Sequence, residues 1–237
     1  ALRIVETVER MEKTNWAGSF IRLRKTNRIR SIHSSVAIEA NSLSLEEVTD
    51  IINDIKVAGD PREILEVKNA WKAYKDIGKY RPYSQDDMLL AHRKMSGGLV
   101  REAGRYRSVE VGVFKGYVLI HEGAKPAEIK GLMDKVFEWG VKSNLHPLIK
   151  SCVFHFLIEF LHPFEDGNGR MGRLWQTVIL ADWNQNLQWI PVETMVYKNQ
   201  QGYYKALLIS EQRNDAAFFV KFMLEMICKK AVLKRIT

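Results

Sequence analysis

Cysteine is nearly absent: in 237 residues only Cys152, inside an apolar run, and Cys228, near the end, are present. Two isolated thiols exclude a disulfide framework and a CxxC metal site, and they fit a reducing compartment. Long hydrophobic runs are missing too. No apolar stretch reaches the roughly 20 residues that a membrane span needs, and the opening ALRIVETVERMEKTNW is broken by charges, so a cytoplasmic protein without a membrane partner is expected. Internal repeats and low-complexity linkers are also absent, which excludes a repeat array. The chain opens with Ala and stops at KRIT, and it is expected to be a piece of something longer.

What is present suits a globular chain. Apolar residues make up 46% of the sequence, enough for one core or a core with an added helical layer. The formal charge of +8 and the pI near 9.4 favour an anionic partner: nucleotide phosphates, nucleic acid or an acidic protein surface.

Helix signals dominate. Ser44-Leu45-Glu46-Glu47 is a capping box, Asp60-Pro61-Arg62-Glu63 sets a cap, an N1 proline and an acid in order, and Ser84-Gln85-Asp86-Asp87 makes a similar start. After Pro61, apolar residues step at threes and fours through Ile64, Val67, Trp71, Tyr74 and Ile77, with Gly78 as the expected stop. Further helices are expected near 16–39, 45–56, 85–96, 126–139, 147–161, 168–183, 200–211 and 215–234. One segment differs: SVEVGVFKGYVLIHE alternates Val109, Val111 and Val113 with polar or small residues and restarts after Lys115-Gly116, a β-hairpin pattern. A lone hairpin is marginal in water, so it is expected to lie across the helical body as a flap.

The chemistry concentrates at residues 162–173, HPFEDGNGRMGR. The preceding run LIKSCVFHFLIEFLH is apolar nearly all round, as in a buried helix, and Pro163 disfavours helical geometry at His162, which places the imidazole at the helix's mouth. Gly167, Asn168 and Gly169 permit backbone angles at which N–H groups converge, and the helical period resumes behind them. A glycine-rich turn into a helix N-terminus is an anion site, to which Arg170 and Arg173 add two charges on one face. Asp166 fits among such groups if it holds a divalent cation that bridges phosphates, and His162 is the nearby group that titrates near neutral pH. Phosphate, metal and base together point to chemistry at a nucleotide phosphorus. A second arrangement, His155, Glu159 and His162 on nearly one helical face, could ligate a metal. Phe154 and Phe156 flank His155, however, and a core histidine with a hydrogen-bonded ring is the expected outcome.

The stretch His162 to Arg173 resembles the Fic signature HxFx(D/E)GNGRxxR at every specified position. GRYRSVEV from Gly104 looks like the start of that family's flap hairpin, and GYYKALL from Gly202 resembles its nucleotide-side helix. The resemblance implies an all-α fold, a Fic-type helical bundle with a small β-hairpin flap. Its parts would be an N-terminal helical region at 1–83, a catalytic core at 84–212 and a C-terminal helix at 213–237 packed on the core. It also implies transfer of AMP from ATP to a Ser, Thr or Tyr hydroxyl of a protein docked at the hairpin. His162 would then be the base and Asp166 the Mg²⁺ ligand. Asn168 and the Gly167 and Gly169 amides would cradle the α-phosphate, Arg170 and Arg173 would bind the outer phosphates, and Phe164 would anchor the loop. Tyr203 and Tyr204 are candidates to border the adenine.

Upstream, SSVAIEAN resembles the family's inhibitory motif (S/T)xxxE(G/N), with Ser35 first and Glu39 as the acid; the sixth position is Ala40, and Asn41 follows. An acid in the apolar stretch Val36 to Ala40 wants a buried cation, and Arg173 is the expected partner, so that Glu39 would stand in the place of the γ-phosphate. The leading expectation is an autoinhibited adenylyltransferase. Removal of AMP from a modified protein would use the same groups, and a nucleic-acid-binding regulator is the alternative from another class. The helical run after Asp215 leaves no room for a winged helix, which makes nucleic acid an unfavoured partner, and a homodimer stays open.

Overall fold

Ser44 Oγ accepts from Glu47 N at 3.2 Å while the Glu47 carboxylate accepts from Ser44 N at 2.8 Å, so two amides that a helix start leaves without partners are satisfied at once. Asp60 does the same for Arg62 N at 2.7 Å ahead of Pro61, and Ser84 for Asp87 N at 3.2 Å. These caps open three of the helices in the computed structural model, which describes residues 21–115 and 118–233.

In chain order the helices are α1 Ile21–Ile38, α2 Leu45–Ile52, α3 Pro61–Lys75, α4 Gln85–Ser96, α5 Pro126–Lys142, α6 Pro147–Leu161, α7 Asn168–Trp183, α8 Val192–Lys198, α9 Gln200–Gln212 and α10 Ala217–Leu233. Short 3₁₀ segments occupy Ile77–Lys79 and Gln185–Trp189. Between α4 and α5, β1 Gly112–Lys115 and β2 Val118–Glu122 pair antiparallel, Gly112 opposite Glu122 and Lys115 opposite Val118, with an irregularity between Val113 and Phe114. Val109 and Val111 precede the paired strand, and Gly116 of the expected turn lies outside the described residues.

Several expected boundaries move for local reasons. Residues 16–20 of the expected first helix lie outside the described residues. The helix expected at 45–56 stops at Ile52, because Asn53 N turns back to Thr49 O and Asp50 O and Asp54 takes φ 59, a left-handed conformation that short polar side chains tolerate. The helix after Pro61 ends at Lys75 rather than Gly78, where Asp76 turns out of the helix and pairs with Lys79 and Lys94. Helix α8 has no counterpart among the expected helices, since seven residues are too few for a readable period.

Helix α7 runs through the middle of the molecule along α6, and nearly all its residues are buried. Trp175 is fully buried on it, with its indole N–H donated to Pro82 O at 2.8 Å. On one side Ile32, Val36, Tyr74, Met88, Met95, Phe137 and Phe154 complete a core drawn from α1 to α7. On the other, Cys152, Leu180, Val192, Phe219 and Met223 close a second core against α8 to α10. Each such side chain contributes about 1.5–3 kcal/mol on leaving water, so the N-terminal end of α7 is held from both sides. That end carries the loop.

Candidate active site

The chain leaves α6 sharply. Pro163 disfavours a helical His162, and His162 adopts φ 51 and ψ 57, a left-handed turn that closes the helix through its own N–H to Ile158 O at 3.0 Å. Its Nδ1 lies 3.2 Å from the carbonyl of Glu159. With the Nδ1 proton on that oxygen, Nε2 is the basic nitrogen of the ring.

Phe164 fixes the next step. It is fully buried and stacks on His92, ring centroids 3.9 Å apart and planes 15° from parallel. His92 in turn accepts from Gly104 N at 2.9 Å through Nδ1, so its Nε2–H donates to Asp166 O at 3.0 Å. Burial holds this ring neutral, pushing its pKa down to about 4. The loop therefore rests on a histidine that works as an uncharged strut.

Gly167 takes φ 86, and a Cβ there would lie 3.0 Å from Ser96 Oγ, so glycine alone fits at the cap of α7. The first intrahelical bond is Met171 N to Gly167 O, which leaves the 168–170 amides without a helical acceptor, at the positive end of the dipole. Asn168 departs from its expected role. Its Oδ1 accepts from Phe164 N and its Nδ2 donates to Phe164 O, both at 2.9 Å, and the residue is 2% exposed. The side chain staples the loop, leaving only its main chain to face an anion.

Arg170 and Arg173 are both almost wholly buried. Arg170 donates through Nη2 to Asp166 Oδ2 at 3.0 Å, while its Nε and Nη1 meet no hydrogen-bond partner among the described residues. Arg173 donates through Nη2 to Glu39 Oε1 at 2.6 Å and to Ser35 O at 3.3 Å, across from the last turn of α1. Burial alone would weaken its hold on the proton, but Glu39, Tyr203 and Glu159 more than offset this and raise its pKa. Gly169 makes the pairing possible, since a Cβ there would sit 2.6 Å from Glu39 Oε1 and 2.9 Å from Arg173 Nη1. Ser35 is buried, with Oγ 3.4 Å from Tyr74 OH, whose proton goes to Glu193 at 2.8 Å. Ala40 ends the motif at φ 67, and Asn41 Nδ2 reaches Glu63 O and Glu66 Oε2 at 3.2 and 2.9 Å.

Tyr203 departs from expectation as well. Its hydroxyl donates to Glu159 Oε1 at 2.7 Å and lies 3.0 Å from His155 Nε2, and the residue is 1% exposed, turned into the core rather than outward. Tyr204 stays half-exposed beside it. The other nitrogen of His155 is 2.8 Å from Gln176 Oε1, the hydrogen-bonded core histidine expected above. Burial would raise the pKa of Glu159, yet the His155 contact and the charges of Arg173 and His162 hold it down to about 2. Sequence reading passed over His92 and Arg107, whose roles arise from folding, and weighed Glu159 only as a metal ligand; Arg107 stood inside GRYRSVEV without a stated task.

The Asp166 side chain is 46% exposed, and among the described residues no group of three or more His, Cys, Asp or Glu converges. One carboxylate suits Mg²⁺, which keeps several waters and takes its other ligands from phosphate oxygens.

Comparison with known proteins bears directly on this arrangement. The Fic/DOC family pattern matches residues 82–180, spanning the β1–β2 segment, α6 and the loop. A crystal structure of a Fic family protein from Desulfovibrio desulfuricans G20 superposes with a TM-score of 0.91 at 42% identity, covering 100% of this chain and 74% of that one. The chain belongs to the Fic family. Among curated Fic proteins it is 29% identical over 204 residues to "Protein adenylyltransferase Fic" of Nematostella vectensis, and 28% identical over 216 residues to that of Drosophila melanogaster. These alignments cover 81% and 87% of this chain but 45% and 42% of the relatives, so the chain spans less than half their length. The Fic fold recurs in Fic-1 (aa134 - 508) of C. elegans, with a TM-score of 0.75 at 21% identity over 97% of this chain and 69% of that one.

Proposed function

We propose that this Fic protein transfers AMP from ATP to a hydroxyl of a target protein and that Glu39 restrains it. One observation carries the reading: His162, its tautomer set by Glu159 O, stands at the lip of a helix N-terminus that buries two arginines, one of them tied up by the Glu39 carboxylate just after α1. The names of the curated relatives support it.

In the proposed reaction His162 Nε2 takes the proton of a Ser, Thr or Tyr hydroxyl as that oxygen attacks the α-phosphorus. The bond from the α-phosphorus to the bridging oxygen breaks, and pyrophosphate departs with its electrons. The 168–170 amides receive the charge that develops on the phosphate oxygens, and Arg170 and Arg173 hold the outer phosphates. Asp166 would hold Mg²⁺, which supplies charge neutralisation for the phosphates. In this reading residues 84–212 serve as the catalytic core, with α1 and the turn after it bringing Ser35 and Glu39 to the loop and α10 packing on the far side. The β1–β2 hairpin is the proposed flap, aligning an extended target segment by main-chain hydrogen bonds.

Because Glu39 occupies Arg173, ATP settles productively only when that pair opens. The test is intact-mass analysis after incubation with Mg·ATP and a lysate fraction. Wild type should yield little or no AMP adduct, Glu39→Gly an abundant one, and the double variant Glu39→Gly, His162→Ala little or none. An adduct in the double variant equal to that in Glu39→Gly would remove the assigned base.

A further inference from the structure

Three consecutive carbonyls of the catalytic turn receive their hydrogen bonds from the two roots of the hairpin. Leu161 O accepts from Ala124 N at 3.1 Å, His162 O from Arg107 Nε at 2.7 Å, and Pro163 O from Arg107 N at 3.0 Å. Arg107 is 2% exposed, and the rest of its guanidinium reaches outward to the hairpin: Nη1 donates to Val109 O at 2.6 Å, before β1, and Nη2 to Ala124 O, after β2. One planar fork thus joins the backbone of His162 to both ends of the flap. Gly123 completes the junction, because a Cβ there would lie 2.7 Å from Arg107 Nη2 and 2.9 Å from His162 Cβ.

We propose that Arg107 is a positioning residue for the transfer reaction, locking the left-handed turn at His162 and the hairpin into one frame so that the base and the target hydroxyl meet in register. The proposal rests on the function assigned above, and its physics is local. A left-handed non-glycine residue costs about 1–2 kcal/mol and persists only where its surroundings hold it. The direction of the His162 ring follows from its Cα–Cβ bond, which the bond to His162 O orients. A guanidinium carries donors in a fixed plane and satisfies carbonyls on three edges at once, which the single ammonium of lysine cannot reproduce. Among the described residues the hydrogen bonds of Arg107 go to main-chain carbonyls of His162, Pro163, Val109 and Ala124 and none to Asp166, Arg170 or Arg173, so its loss should spare nucleotide binding.

The experiment uses the whole chain carrying Glu39→Gly, with self-modification by α-labelled ATP as the transfer readout. Arg107→Met should lower kcat by about 100-fold and leave the KM for ATP within about twofold, and Arg107→Lys should recover part of that loss. Amide hydrogen exchange at Ala124 should accelerate in the same variants. Gly123→Ala keeps the guanidinium while pushing on it, and should lower kcat in the same way should Arg107→Met fail to fold. Full kcat in either folded variant overturns the proposal, as does a loss of ATP binding in proportion to the loss of rate. If the Glu39→Gly parent transfers no AMP, the assigned function fails, and exchange alone then decides the coupling: faster exchange at Ala124 in Arg107→Met sustains it, and unchanged protection refutes it.

Discussion

Glu39 and Arg173, 134 residues apart in sequence, are joined by a bond of 2.6 Å between a carboxylate at the end of α1 and a guanidinium buried at the head of α7. The Glu39 side chain is 34% exposed and that of Arg173 only 1%, so the acid is the member of the pair free to leave and the arginine the one fixed in place. Opening the pair leaves the buried guanidinium without its counter-ion, and a bound triphosphate supplies another anion in its place. Glu39→Gly should therefore lower the melting temperature of the chain without nucleotide and raise the shift that Mg·ATP produces. Thermal denaturation with and without nucleotide checks this, and an equal ATP shift in both forms would mean that Glu39 does not compete for Arg173.

Ala40 closes the motif at φ 67, where a Cβ is strained. Ala40→Gly should stabilise the chain by about 0.5–1 kcal/mol, the relief of strain exceeding the added chain entropy of glycine. A urea titration that gives a lower midpoint for the glycine variant would show the turn to be unstrained.

The Asn168 side chain bonds both to the N–H and to the carbonyl of Phe164. Asn168→Ala should cost about 2–3 kcal/mol, since it leaves two buried main-chain groups without partners. Chemical denaturation measures this directly. A variant with normal stability and lost ATP affinity would instead place the amide against phosphate.

His92 gives a pH dependence with a definite sign. Its folded pKa lies near 4, below the ordinary histidine value of 6.5, so the unfolded chain binds a proton that the folded chain refuses. The stabilisation is complete above pH 6.5 and is lost as pH falls towards 4, by up to about 3 kcal/mol. His92→Gln should be less stable at pH 7 but show a shallower decline over that range. Parallel stability curves for the two proteins between pH 7 and 4 would contradict the assignment.

How much of this was legible in the sequence depended on the range over which each cause acts. Caps at Ser44, Asp60 and Ser84 and the end of α6 at Pro163 are decided within a few residues, and the helix at 147–161 agrees with its expected bounds. The signature from His162 to Arg173 marked the candidate site, and the pairing of Glu39 with Arg173 was legible as an acid in an apolar stretch that wants a buried cation. Side-chain direction was not legible. Asn168 and Tyr203 turn inward because Phe164 and Glu159 supply partners there, and such partners become visible only once α6, α7 and α9 are packed. Arg107 stayed silent for the same reason, its acceptors lying 2, 17 and 55 residues away along the chain.

The most direct measurement compares ATP labelled at the α-phosphate with ATP labelled at the γ-phosphate, using wild type and Glu39→Gly with Mg²⁺ and protein acceptors. The account predicts covalent label on protein from the α position alone, weak in wild type and at least about tenfold stronger in Glu39→Gly. Label from the γ position, or equal α-label in the two proteins, would contradict it.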